Sequence, residues 1–96
     1  MKYIVISAAN KSGEHRFPFI FPNNLVHSHV AKVMTLLVSL MFPTRDVTVT
    51  SAGEINAIEF SGECFGKSTT LGLESKPVED TQLVRMNDYG AGSMNA

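Results

Sequence analysis

Residues 24–42 carry the pattern that most restricts the fold. Val26, Val30, Val33, Met34, Leu37, Leu40 and Met41 recur at spacings of three and four, one apolar stripe at helical period. Asn23 and Asn24 offer N-cap side chains, and Pro43 supplies a stop. The spacing therefore predicts one long amphipathic helix from Asn24 to Phe42, with its stripe covered by the rest of the chain. Burying the seven stripe side chains would contribute roughly 10–20 kcal/mol at about 1.5–3 each. Chain entropy takes back most of that, so at this size a partner or second subunit can matter.

The flanking segments read as strands. Tyr3 to Ala9 contains Ile4, Val5 and Ile6 in a row, and Asn10-Lys11-Ser12-Gly13 is turn chemistry. Phe17, Phe19 and Phe21 then alternate at period two, which completes an antiparallel hairpin. Pro18 cannot donate to a ladder, which places that second strand at an edge. After the helix, Val47 to Ser51 alternates, Ala52-Gly53-Glu54 reads as a turn or bulge, and Ile55 to Phe60 is a further strand. A tight turn at Ser61-Gly62-Glu63 and a strand from Cys64 to Thr70 complete a meander. One long bent strand through Gly53 fits the periodicity equally well. Pro77 suits a first helical turn and Glu79 and Asp80 its positive end, predicting a short helix to about Met86. Val78, Leu83 and Met86 are its expected contacts.

The expected fold is α+β: an antiparallel sheet of four to five strands, in β-β-α-β-β-β-α order, packed on one long helix. Residues 1–86 form a single domain and residues 87–96 a loose tail. Ninety-six residues leave no room for a second core. At 44% apolar and 18% charged, the chain is globular rather than disordered.

Charge and chemistry exclude several functions. Eight basic against nine acidic residues give −1 with no basic run, which argues against nucleic-acid binding. No signal peptide and no membrane span are expected, and one cysteine, Cys64, fits a reducing compartment. The cytoplasm is the simplest location. His27 and His29 point about 160° apart on a helix, at roughly 100° per residue, and so cannot share a metal unless the helix has not begun there. The reading is a half-buried histidine beside an exposed one. His15 and Cys64 add no ligand spacing. Cys64 lacks a catalytic signature and reads as a small core residue. Gly62-x-x-x-Gly66-Lys67-Ser68 is one residue short of a phosphate loop and runs into an extended segment. Glu54, Glu59 and Glu63 read as a solvated sheet face.

Cys64-x-Gly66-x-Ser68, followed by Leu71-Gly72-Leu73-x-Ser75-x-Pro77-x-Glu79-Asp80, resembles a loose group of small proteins encoded by bacteriophages and prophages. That group shares a Ser-Ala-Gly turn, matched by Ser51-Ala52-Gly53, and a Ser-x-Pro-Glu-Asp-like start to a helix. Here Val78 intervenes between Pro77 and Glu79. The likeness covers roughly a third of the chain. It implies no activity and no cofactor, but a viral accessory gene. Such genes often encode inhibitors of host machinery, anti-CRISPR proteins among them.

The expected function is a non-enzymatic protein-binding module, an anti-CRISPR-like inhibitor of a host defence complex in the bacterial cytoplasm. Its partners are a host or phage protein complex, with a homodimer as a further state. Neither a metal nor a cofactor is expected. The candidate partner-binding residues are Phe17, Phe19 and Phe21 on the edge strand, with Glu54, Glu59 and Glu63. The alternative is a small-molecule or nucleotide-binding sensor acting as a homodimer. In it, Lys67, Ser68, Thr69 and Thr70 hold an anion near the short helix's N-terminus. An enzyme using Cys64 or the histidines ranks last.

Overall fold

The first strand is central because its residues are apolar on both faces. In β1 (Lys2–Asn10), Ile4, Ile6 and Ala8 point one way and Tyr3, Val5 and Ser7 the other, and all six are buried. A strand buried on both sides needs a neighbour at each edge and a layer on each face. The computed structural model, which describes residues 1–42, 46–56 and 63–86, supplies them. β2 (Gly13–Phe21) returns beside β1 after the two-residue turn Lys11-Ser12, where the Asn10 side chain accepts from the Ser12 N–H at 2.8 Å. β3 (Asp46–Asn56) pairs along the other side, and β4 (Glu63–Phe65) extends it. The sheet is antiparallel in the order β2-β1-β3-β4, with Pro18 on the edge strand β2.

The second half departs from the expected meander. β3 is one strand of 11 residues that runs through Gly53 without a turn. Its irregularity falls earlier: Val5 faces Ser51 and Ile6 faces Val49, which leaves Thr50 as the extra residue of a bulge. Ser51-Ala52-Gly53 is thus strand interior. Gly53 is required by crowding: a β-carbon there would collide with the Phe65 carbonyl oxygen and lie 3.1 Å from Ser75 Cβ. The expected strand from Cys64 to Thr70 is broken at Gly66, whose φ of 79° suits glycine. β5 (Lys67–Ser68) and β6 (Leu73–Glu74) form a separate small hairpin. The observed order is therefore β-β-α-β-β-β-β-α. Pro43, Phe60, the Ser61-Gly62 turn and the tail at 87–96 lie outside the described residues.

Two helices cover the sheet, one on each face. α1 (His27–Met41) has 15 residues, so it is shorter than the long helix expected from residue 24. It starts without a side-chain cap at Val26, because residues 22–25 form a turn closed by Leu25 N–H to the Pro22 carbonyl. Lys2 Nζ donates to the Leu25 carbonyl at 2.8 Å and ties that turn to β1. The buried face of α1 also differs from the expected stripe. His27, Ala31 and Val38 are buried, Val30 and Met34 are half-buried, and Val33, Leu37, Leu40 and Met41 are exposed. Ala31 lets the helix approach a core of Ile4, Ile6, Ala8, Phe21 and Ala52. His27 fixes its rotation: its Nε2 lies 2.8 Å from the Gly53 carbonyl oxygen, and since a carbonyl only accepts, Nε2 carries the proton.

α2 (Pro77–Met86) covers the opposite face, where Val84 joins Tyr3, Val5, Ile55 and Cys64 in a second core. Leu83 packs at its margin, whereas Val78 and Met86, both expected as contacts, are exposed. Among the described residues, no helix is long and apolar enough to cross a membrane.

Candidate functional site

The rotation of α1 leaves apolar surface without cover. Beside β2, the strand and helix splay apart into an open groove of about 430 Å³. Phe19, Ile20 and Phe21 form its strand wall, Leu25 its end, and His29, Val30, Val33 and Met34 its helix wall. His29 is the one polar side chain in that lining. The groove exists because Phe19 and Phe21 turn inward to the core while α1 tilts onto β1 and β3 through His27 and Ala31. Phe21 meets the His27 ring edge-on at 5.5 Å. At the other end of β2, Phe17 packs tilted against Phe42 and His15 stacks on it, with ring centroids at 5.1 and 5.8 Å, and together they close the helix C-terminus against the strand.

From Val33 the apolar surface continues along the outer face of α1 through Leu36, Leu37, Leu40 and Met41, with Leu40 at 72% exposure. Single exposed leucines are ordinary, but a contiguous set joined to a groove marks an interaction surface. A small apolar cavity with few polar groups is also the usual form of a ligand site.

The candidate partner-binding residues divide as follows. Phe19 is half-buried and lines the groove; Phe21 lines it too but is itself buried, and half-buried Phe17 packs on Phe42. Glu54 and Glu63 are exposed on β3 and β4, opposite Phe65 and Asn56 respectively. Glu59 lies outside the described residues. The groove thus takes in Phe19 and Phe21 of the edge strand but not Phe17, and leaves Glu54 and Glu63 on β3 and β4. The residues that open it to solvent, Ile20, Leu25 and Val33, are ones that sequence reasoning did not single out as a site. The signal available was Ile20, apolar on the outward side of an edge strand.

The other candidates are tied into the fold. His27 is buried and bonded, and His29 is exposed, as the two-residue spacing predicts. Cys64 is buried in the second core; burial pushes its thiol up, and the Asp80 charge adds to this. Its backbone N–H donates to Thr81 Oγ1 at 3.0 Å. Ser68 is buried and accepts from the Leu71 N–H at 3.1 Å, while Lys67 lies in β5 opposite Glu74. At the start of α2, the backbone N–H of Lys76 is taken by the chain's own Asp80 carboxylate at 2.9 Å.

Asp80 is also the most consequential residue that sequence reasoning read otherwise. It is 1% exposed and holds three donors. Tyr3 Oη donates to Oδ2 at 2.5 Å, Ser51 Oγ to Oδ1 at 2.9 Å, and Lys76 N–H to Oδ2. Among the described residues, no buried side-chain nitrogen or oxygen lacks a partner. A buried carboxylate is tolerated only with such a set of donors, and this one joins the first strand, the third strand and the last helix. Its donors are all spent within the fold, so it serves structure rather than a ligand. Compared with protein families, curated proteins and solved structures, the chain matches none.

Proposed function

We propose that this chain is a non-enzymatic protein-binding module that holds an apolar segment of a partner protein in the groove between β2 and α1. The observation that carries this reading is the groove itself: about 430 Å³, with His29 as the one polar side chain among eight lining residues. Extended or helical segments commonly anchor in such grooves through a few large apolar side chains. The likeness of residues 51–80 to phage accessory proteins extends the proposal to the partner's class, a host defence complex, with inhibition as the effect. The test is capture from bacterial lysate by the folded chain, compared with Ile20→Asp and Leu25→Asp, which alter exposed rim residues. A stoichiometric partner that binds the variants at least roughly tenfold more weakly, a loss of about 1.4 kcal/mol, supports the reading. Equal capture by all three chains removes it.

The groove's size also suits an apolar small molecule, because ligand sites run from about 300 to 1,000 Å³. Thermal shift against a panel of apolar ligands separates this second reading, since a ligand bound only by the native state raises the melting point.

A further inference from the structure

We infer that the segment held in the groove is acidic: an apolar anchor with a carboxylate beside it, the carboxylate lying at the Leu25 end. This rests on the groove reading above and adds the partner's charge to it. The first observation is where the chain keeps its carboxylates. Residues 15–42, which supply all eight lining residues, contain none of the nine Asp and Glu side chains. They do contain Arg16, Lys32 and all three histidines. Eight of the nine carboxylates come after residue 45, where the basic residues are Lys67, Lys76 and Arg85.

In the fold this becomes a separation in space. The groove lies at the β2 edge of the sheet, and exposed Glu63 lies on β4 at the other edge. Glu79 is on α2, on the opposite face, where it meets Arg16 at 3.7 Å. Glu54 stands opposite Lys2 in the β1–β3 register, but β3 is two strand spacings, about 10 Å, from β2. Among the described residues, no ion pair joins Glu54 to Lys2.

The groove's own donors gather at one end. His29 lies in the helix wall, and among the described residues its ring makes no hydrogen bond. Exposed Lys32 follows it one turn along α1, whose first turn holds no acidic residue. Lys2 Nζ sits 2.8 Å from the carbonyl of Leu25, the residue that closes the groove. Toward Met34 the lining is apolar only. That order fixes the order in the bound segment: carboxylate toward Leu25, apolar anchor toward Met34.

Charge of one sign beside an apolar wall concentrates the opposite charge and sets the register of what binds. The chain as a whole carries −1, so an acidic segment is drawn by this separation and not by net charge. Nucleic acid fits the site less well, because its affinity comes from neutralising many phosphates, and two lysines and a histidine neutralise few. An apolar side chain beside a carboxylate uses both parts of the site.

Sorting a displayed library of random peptides against the folded chain tests the inference. Enriched peptides should share large apolar side chains with an Asp or Glu to one side, and should bind more weakly as salt rises. His29→Ala and Lys32→Ala, both at exposed positions, should each weaken an enriched synthetic peptide about two- to fivefold, the range of an exposed ion pair. A fresh sort against His29→Glu/Lys32→Glu should keep the apolar preference and lose the acidic one. If that variant does not fold, the alanine variants decide. The two readings fail differently: no enriched peptide at all sinks the groove and this inference with it, whereas apolar peptides without an acidic excess sink only the inference. An acidic preference that survives in the double variant overturns it. So does a random-sequence oligonucleotide that displaces the peptide, or a chain whose mass in light scattering grows with concentration as the peptide is released. Nucleic acid or a second copy then occupies the site instead.

Discussion

At the scale of single residues, Tyr3 sets how the fold responds to alkali. Burial, and then the adjacent Asp80 carboxylate, raise its hydroxyl above the ordinary pKa of 10.0. The unfolded chain would lose that proton near the ordinary value and the folded chain would keep it. The stability involved is therefore complete below about pH 10 and drains away as pH rises beyond it. Tyr3→Phe should cost about 1–3 kcal/mol at neutral pH by leaving Asp80 one donor short. It should also flatten the alkaline fall in unfolding free energy; urea melts from pH 7 to 11 would measure both. Gly53→Ala should cost about 1–3 kcal/mol, the usual range for forcing an atom into filled space, because the Phe65 carbonyl stands where the methyl must go. Neither role was legible beforehand. A carboxylate in a first helical turn has a ready solvated reading, and nothing in the spacing of residues 3, 51 and 80 joins them.

At the scale of elements, the local signals held where one pattern dominated and failed where two competed. The β1–β2 hairpin follows from its turn residues and period-two phenylalanines, and Pro18 marks the edge. α2 begins at Pro77 as its first-turn residues predict. α1 exists where periodicity placed it, but its orientation was not readable, since a helix apolar on two sides carries two valid stripes. The choice fell to long-range contacts: Ala31 against the sheet and His27 on the Gly53 carbonyl. The groove lay out of reach for the same reason, being made by that rotation. Val38→Ala should therefore cost roughly 2 kcal/mol through lost burial and a residual cavity. Met41→Ala, at an exposed position, should stay within about 0.5 kcal/mol. Denaturant midpoints for the two variants give the comparison directly.

At the scale of the whole molecule, the chain's order and its spatial order are opposed. The strand that emerges first is the innermost, and one of its two covering layers is α2, near the other end. A chain cut after Lys76 would lack Val84 over the second core and the carboxylate that Tyr3 and Ser51 share. It should show no cooperative thermal transition by circular dichroism, whereas the full chain should. The same geometry has a consequence for synthesis. At about 5–20 residues per second, some 4–15 s separate the appearance of Tyr3-Ile4-Val5-Ile6 at the ribosome from that of Asp80. Until then the face of the first strand that carries Tyr3 and Val5 lacks its last covering layer, which makes the newborn chain, rather than the finished one, the natural client of a chaperone.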